Sequence, residues 1–132
     1  QTAMLDALAD SVGCSLPADL AARLYLCPSE WSSLVRLGMR VGAHSVSHPR
    51  MTQMDELQLD SEAQESVEAV RTLGTPVPFA YPDGAYDERV VRAVRRAGVS
   101  SAVTCAPGVV RCGTDLLRLP RVFVTPGAQV GP

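Results

Sequence analysis

The sequence contains no lysine, no isoleucine and no asparagine, and only 5% of its residues are aromatic. All twelve basic residues are therefore arginine, and with 14 acidic residues they leave a net charge of −2. Because the excess of positive charge that a nucleic-acid-binding surface typically needs is missing, no nucleic-acid partner is predicted. The apolar runs are only a few residues long, whereas about 18 are needed to cross a bilayer, so no membrane span is predicted.

The length limits the architecture. A chain of 132 residues suits one compact domain, whereas a complete eightfold β/α barrel typically needs about 250 residues. The hydrophobic fraction of 46% is too high for a disordered chain. Since the chain begins at Gln1 and its first stretch has neither the basic start nor the apolar run of a signal peptide, we expect residues to have been removed upstream.

Four cysteines, Cys14, Cys27, Cys105 and Cys112, show no CxxC spacing, which argues against a zinc ribbon. Their proportion is also low for a small disulfide scaffold. Cys105 and Cys112 flank a loop and would form a bridge in an oxidising compartment, but buried free thiols are the preferred prediction. Cysteine usage therefore leaves the cellular compartment open.

Helical and strand patterns alternate along the chain. Helices are predicted at 3–12 and 20–24, from an N-cap at Ser29 to Leu37, from an N-cap at Asp55 to Leu73, and from an N-cap at Asp87 to Gly98. Strands are predicted at 39–44, 77–81, 99–104 and 121–124. Short connections between alternating elements predict an α/β fold with a mostly parallel sheet of about four to five strands and flanking helices. The Pro- and Gly-rich residues 125–132 are predicted to be a flexible tail.

The only two histidines, His44 and His48, lie four residues apart where the predicted strand 39–44 ends. In parallel sheets, functional side chains gather at the C-terminal ends of strands. Two imidazoles at this spacing can share one metal ion, with Ser45 or Ser47 fixing the ring tautomers. The alternative is that the histidines cap a turn through hydrogen bonds to the backbone.

The segment 79–87 (FAYPDGAYD) ends the next predicted strand. Its Pro82, Asp83 and Gly84 have good turn chemistry, which accounts for Asp83 without a metal, so Asp83 is not predicted as a ligand. Tyr81 would present its backbone N–H or its ring to a site at the strand end, or would simply belong to the connecting loop.

Together these segments resemble the polysaccharide deacetylase family (the NodB-homology domain, carbohydrate esterase family 4). The family's H-[ST]-x-x-H-P segment stands here as HSVSHP at 44–49, and its F-x-Y-P-x-G-x-[YF]-[DN] segment stands at 79–87. The similarity covers roughly residues 29–124. Further matching positions are Trp31, Leu34, Gly38, Val41, Gly42, Glu62, Ser66 and Leu119-Pro120-Arg121.

The resemblance implies metal-dependent hydrolysis of N-acetyl groups on an amino sugar or polysaccharide, within part of a deformed β/α barrel. His44 and His48 would bind a divalent metal, most often zinc, and the backbone N–H of Tyr81 would bind the oxyanion. Arg121 would orient a catalytic group or the substrate, the alternative being a salt bridge to a helix carboxylate. The residues implied for substrate binding are Tyr81, Pro82 and Trp31.

The chain also departs from the family pattern. No counterpart of the N-terminal T-F-D-D motif, which supplies the base and an aspartate ligand, precedes His44, and no histidine follows His48 to match the late L-x-x-H motif. Residues 1–132 are therefore predicted to form a single deacetylase-like domain without its N-terminal strands. It would be either a deacetylase or a non-catalytic domain serving carbohydrate binding or assembly. Unpaired strand edges predict a homo-oligomer or a completing N-terminal segment.

Overall fold

The computed structural model describes residues 2–13, 19–74 and 76–124; Cys14 and the predicted tail 125–132 lie outside them. Two single-turn 3₁₀ helices lie at Met51–Gln53 and Pro82–Gly84. None of the described helices is both long enough and apolar enough to span a membrane. The other described elements are, in chain order, α1 (Thr2–Ser11), α2 (Leu20–Leu24), α3 (Pro28–Arg36), α4 (Glu56–Arg71), β1 (Pro78–Ala80), α5 (Glu88–Arg96), β2 (Ser101–Pro107) and β3 (Leu119–Arg121).

The strands form one parallel sheet in the order β1-β2-β3. The predicted α/β class with a parallel sheet is confirmed, but the described residues contain three strands rather than four or five. The predicted strand 39–44 contributes a single parallel bridge, between Ala43 and Phe79. Pro78 explains why this pairing is so short: it has no N–H group with which to extend the ladder toward Val41.

Helices α4 and α5 pack on the sheet and on each other, and the core lies between these three elements. Each fully buried aliphatic side chain contributes about 1.5–3 kcal/mol relative to an exposed one. At the helix surface, the Arg96 guanidinium lies 2.6 Å from Asp60 and ties α5 to α4. The buried side chains come from α4 (Leu59, Ala63, Val67, Val70), α5 (Val90, Val91, Ala93, Val94) and the strand region (Phe79, Tyr81, Ala102).

Both central helices begin where their capping residues predict. The Asp55 carboxylate accepts the backbone N–H of Gln58 at 2.8 Å, and the Gln58 side chain returns a bond to the Asp55 N–H at 3.1 Å. At α5, one Asp87 oxygen accepts the N–H groups of Arg89 and Val90, at 2.9 and 3.0 Å. These bonds satisfy donors that a helix start otherwise leaves unpaired.

Helix α3 begins earlier than predicted. Cys27 rather than Ser29 precedes its first turn, and Pro28 occupies the first helical position, where its fixed φ is favourable. The Glu30 carboxylate accepts the Cys27 N–H at 2.7 Å. Ser29 is therefore inside the helix.

The described cysteines are free thiols. Cys27 and Cys112 are exposed and Cys105 is half-buried, so the prediction of buried thiols is wrong for the first two. They occur in loops or at a helix start, outside the apolar faces that α4 and α5 bury.

The turn Pro82–Gly84 packs tightly against β2. Gly84 has φ +67°, and a Cβ there would lie 2.5 Å from the Cys105 Cβ and 2.8 Å from the Cys105 backbone nitrogen. Because part of this contact is backbone, the neighbour cannot move aside easily. The glycine therefore allows the loop after β1 to lie against the adjacent strand.

Replacing Gly84 by alanine is expected to lower the free energy of unfolding by about 1–3 kcal/mol more than the same change at Gly113. Gly113 also has a left-handed φ, +84°, but its Cβ would meet nothing within 4 Å. Urea unfolding of the two variants measures the difference. Equal losses would contradict the close packing described for Gly84.

The N-cap of α5 predicts a pH-dependent contribution to stability. Hydrogen bonding from the Val90 N–H, opposed by partial burial and aided by Arg89, lowers the pKa of Asp87 below its ordinary 3.8. A lowered carboxyl pKa stabilises the folded chain above the ordinary value, and this contribution is lost as the pH falls through the folded-state pKa.

Asp87→Ala should therefore cost about 1 kcal/mol of unfolding free energy at neutral pH. Asp87→Asn, which keeps an acceptor oxygen, should cost less. In urea unfolding followed from pH 7 downward, the gap between wild type and Asp87→Ala should narrow below pH 3.8. A gap that stays constant with pH would contradict a charged cap.

Candidate metal site

The histidine pair lies beside the C-terminal end of β1. The Ala43 N–H donates to the Pro78 carbonyl at 2.8 Å, and the Ala80 N–H donates to the Ala43 carbonyl at 2.9 Å. These two backbone bonds place His44, the next residue, at the edge where parallel strands present functional side chains. Both His44 and His48 are exposed.

A backbone carbonyl sets the orientation of His44. Its Nδ1 lies 2.7 Å from the carbonyl oxygen of Ala80. Since a carbonyl only accepts, Nδ1 carries the proton and the lone pair of the neutral ring is on Nε2. The His48 ring lies edge-on, with 4.9 Å between ring centroids and 75° between planes.

The loop between the two histidines has an unusual backbone. Ser45 has φ 62° and His48 has φ 54°, both in the left-handed region. Such conformations cost non-glycine residues roughly 1–3 kcal/mol each and persist only where surrounding contacts impose them. Ser45 provides one contact, because its Oγ accepts the His48 N–H at 3.1 Å.

The expectation that Ser45 or Ser47 fixes the ring tautomers is therefore wrong for His44. The Ala80 carbonyl does so, while Ser45 holds the loop backbone and the Ser47 hydroxyl donates to Glu62 at 2.6 Å. The contact partner comes from a strand far away in sequence, which local spacing does not reveal.

Glu62 of α4 is a site residue whose role the sequence did not indicate. One of its oxygens accepts the N–H groups of Val46 and Ser47, at 2.7 and 3.1 Å, and the other accepts the Ser47 hydroxyl. Partial burial raises the pKa of Glu62, but the bonds from Ser47 and Val46 outweigh it, so this pKa lies below its ordinary value. The sequence analysis matched Glu62 to the family pattern but assigned it no contact with the histidine loop.

The chain after the histidines is anchored to α5. The Arg89 guanidinium donates to the carbonyls of Met54 and Thr52, at 3.0 and 3.1 Å. The Met51 side chain in the same turn is completely buried. The histidine loop thus has a fixed downstream end.

A cavity of about 590 Å³ adjoins His44, and no residue of β1 lines it. It brings together two predicted site residues, Trp31 and His44, which lie 13 positions apart. Trp31 is half-buried and packs against the core. The remaining lining combines the backbone of 41–46 with the α4 side chains Glu65, Ser66, Ala69 and Val70.

Tyr81 and Pro82 are both nearly completely buried, Tyr81 to 1% exposure. The Tyr81 hydroxyl donates to the Leu117 carbonyl at 2.9 Å, and its ring stacks on Tyr86 at 5.1 Å. Burial raises the pKa of Tyr81 to about 12, so the phenol stays protonated near neutral pH. Both side chains thus lie in the packed interior of the described residues, and their expected part in substrate binding stays a prediction.

The Tyr81 backbone N–H, implied as the oxyanion donor, is engaged in the sheet. It donates to the Val103 carbonyl at 3.2 Å, which is at the long end for such a bond. A substrate oxygen would have to share or replace this contact.

Arg121 lies on β3, away from the cavity lining. Its Nε donates to the Thr104 carbonyl at 2.6 Å, and its Nη2 lies 2.9 Å from the Cys105 sulfur. Among the described residues its partners are thus a carbonyl and a thiol, and the alternative of a salt bridge to a helix carboxylate is wrong there. A role in orienting substrate stays a prediction.

The donor set fits two positions of a metal site. Nε2 of His44 is the ring nitrogen left for coordination, and a backbone carbonyl behind a ligating imidazole is the usual supporting arrangement. Within residues 2–13, 19–74 and 76–124, no three His, Cys, Asp or Glu side chains are grouped to hold an ion. Asp83, exposed on its turn, accordingly does not complete the set.

The tautomer of His44 is directly measurable. Long-range ¹H–¹⁵N correlation spectra of the neutral imidazole should show the proton on Nδ1, because only an N–H can satisfy the Ala80 carbonyl. The His48 ring, which has no such bond recorded, serves as the internal comparison. A proton on Nε2 of His44 would contradict the geometry.

Comparisons with known proteins show which family the chain resembles. The family model described as polysaccharide deacetylase matches residues 9–102. YxkH of Bacillus subtilis (strain 168), a protein that carries the name of the same family, is 24% identical over 105 residues, which are 78% of this chain and 38% of YxkH. The chain thus spans well under half of that relative's length.

Solved structures of deacetylases are also similar to this chain. The Streptococcus pyogenes deacetylase PplD in complex with acetate matches with a TM-score of 0.72 and 23% identity, over 77% of this chain and 46% of PplD. The family 4 carbohydrate esterase from Streptomyces lividans, also in complex with acetate, matches with a TM-score of 0.53 and 32% identity, over 64% of this chain and 43% of the esterase. The family model covers well over half of the chain, and the chain belongs to the polysaccharide deacetylase family.

Proposed function

We propose that this chain forms part of a metal-dependent deacetylase that hydrolyses N-acetyl groups on an amino sugar or polysaccharide. The observation that carries the proposal is the hydrogen bond between the His44 Nδ1 and the Ala80 carbonyl, which leaves the His44 Nε2 facing outward. The centroid of the His48 ring lies 4.9 Å from that of the His44 ring. Family membership supports the reaction class. Two of the solved neighbours, PplD and the Streptomyces lividans esterase, hold acetate, the acid that N-deacetylation releases.

His44 and His48 would hold the divalent ion, with zinc the best match to two neutral imidazoles. Such an ion, when bound, supplies an activated water and polarises the amide carbonyl. The chain's own contribution is to hold both histidines at one strand end, with Nε2 of His44 left to coordinate. The Ala80 carbonyl does this for His44, and Ser45 bonds the backbone of His48.

The third ligand has to come from outside the described residues. The family resemblance assigns it to an aspartate on a strand preceding His44. Among the described residues nothing pairs with the outer edge of segment 41–44, and the cavity of about 590 Å³ lies along that edge. A completing N-terminal segment fits this position best, and a second copy of the chain is the alternative.

The substrate would bind around the same edge. Trp31 in the cavity wall gives a sugar ring an apolar surface beside His44. The Tyr81 N–H would bind the oxyanion once its 3.2 Å bond to Val103 is shared. Arg121, which touches β2 near the turn 82–84, would act by orientation only, because a guanidinium stays protonated.

A non-catalytic, carbohydrate-binding or assembly role is the second candidate. Two observations favour it: the described residues bring only two metal ligands together, and the implied oxyanion donor already has a partner. This candidate keeps the cavity beside Trp31 as a binding surface without hydrolysis.

Zinc titration of the full chain, combined with acetate release from an N-acetylglucosamine oligomer, tests the proposal. We expect zinc binding by the wild type that weakens at least about 100-fold in His44→Ala and in His48→Ala, since each removes a ligand. Exposed Cys27→Ser is the control and should bind zinc like the wild type.

Wild-type zinc affinity that is unchanged by either histidine substitution would contradict the proposed site. Histidine-dependent zinc binding without acetate release, with or without a separately supplied N-terminal deacetylase segment, would support the non-catalytic candidate. Histidine-dependent release of acetate would support the deacetylase.

A further inference from the structure

We infer that Glu62 is a positioning residue of the metal site, which holds the histidine loop in its coordinating shape without touching the metal. The part of this inference that concerns metal affinity rests on the proposed function. The part that concerns the loop rests on geometry alone. No motif of the histidine segment itself includes this residue.

The loop needs an acceptor from outside. Ser45 and His48 have left-handed backbone, and between them the N–H groups of Val46 and Ser47 point the same way, toward one Glu62 oxygen. Successive N–H groups around a left-handed residue form a concavity that favours a negative group. The carboxylate fills this role, and its charge makes each bond stronger than a neutral one.

Both carboxylate oxygens are used. The second oxygen accepts the Ser47 hydroxyl at 2.6 Å, so three bonds converge from two adjacent loop residues on one side chain of α4. The next acidic residue on the helix, Glu65, bonds to Ser61 of its own helix instead. Glu62 is thus the connection between the core helix and the loop.

The loop position matters because its two ends carry the proposed ligands. The Ala80 carbonyl bonds the imidazole of His44, whereas the bond from Ser45 reaches the backbone N–H of His48 and not its ring. The Glu62 bonds lie within two residues of His48, so they set where that ring stands relative to His44. Removing them should let His48 leave the coordinating arrangement while the core stays intact.

The test compares three variants of the full chain on α4. Glu62→Ala removes all three bonds and leaves a good helix former. Glu62→Gln keeps a carbonyl acceptor for both amides and an NH₂ that can donate to the Ser47 hydroxyl, so it is the conservative rescue. Glu68→Ala, at an exposed residue paired only with Arg71 on the same helix, is the matched control.

Two readouts separate loop positioning from general stability. Amide hydrogen exchange without metal should accelerate about tenfold or more at Val46 and Ser47 in Glu62→Ala. Zinc affinity should fall about 10–100-fold, as is typical for partners that support metal ligands. Glu62→Gln should recover part of both effects, and Glu68→Ala should change neither.

Unchanged exchange at Val46 and Ser47 in Glu62→Ala would overturn the inference, whatever the metal data show. Faster exchange with undiminished zinc affinity would overturn the claim that Glu62 positions the ligands. If the wild type itself binds no zinc through its histidines, the proposed function fails, and faster exchange then supports the loop contact alone.

Discussion

The site depends on how the chain pairs with β1 at Ala43. Two backbone bonds join Ala43 to the Pro78 carbonyl and the Ala80 N–H, and a third bond joins the next residue, His44, to the Ala80 carbonyl. This short pairing brings the histidine segment, 36 residues earlier in the chain, to the end of the sheet. It also selects the ring nitrogen that faces outward. Without it, His44 would have neither a fixed place nor a fixed tautomer.

Helices α4 and α5 hold the chain on both sides of this contact in place. Leu59 and Val67 secure α4 in the core, and the same helix offers Glu62 to the loop. Helix α5, whose N-cap is Asp87, carries Arg89, which donates to a backbone carbonyl in the segment after the histidines. The left-handed backbone of the loop is therefore imposed by rigid elements on both sides. The loop that carries the two histidines thus lies on a rigid base, and the packing explains how the strain persists.

Local chemistry made much of the fold predictable. The caps Asp55 and Asp87, the buried stripes of α4 and α5 and the alternation of elements all depend on near neighbours, and the structure confirms them. The predicted start of α3 was wrong because Pro28 occupies the first helical position, so that the N-cap is Cys27 and not Ser29. The predicted strand 39–44 was longer than the single bridge observed, because Pro78 on the neighbouring strand has no N–H with which to continue the pairing.

The site was predictable only in part, for a related reason. The histidine spacing and the family match at Trp31 indicated residues that the structure does bring together, since Trp31 and His44 line the same cavity. Tyr81, in contrast, is polar in the sequence yet buried, because Leu117 offers its hydroxyl an acceptor 36 residues away. Glu62 was noted as a match to the family pattern, but its role was not predicted, since its partners lie in a distant loop. Such contacts arise from tertiary packing, which residue spacing does not encode.

Anomalous scattering from a zinc-soaked crystal tests the central claim most directly. The account predicts a peak within about 2.0–2.1 Å of the His44 Nε2 and of one ring nitrogen of His48, with the His44 Nδ1 still bonded to the Ala80 carbonyl. A peak only at exposed thiols such as Cys27, or coordination through Nδ1 of His44, would contradict it.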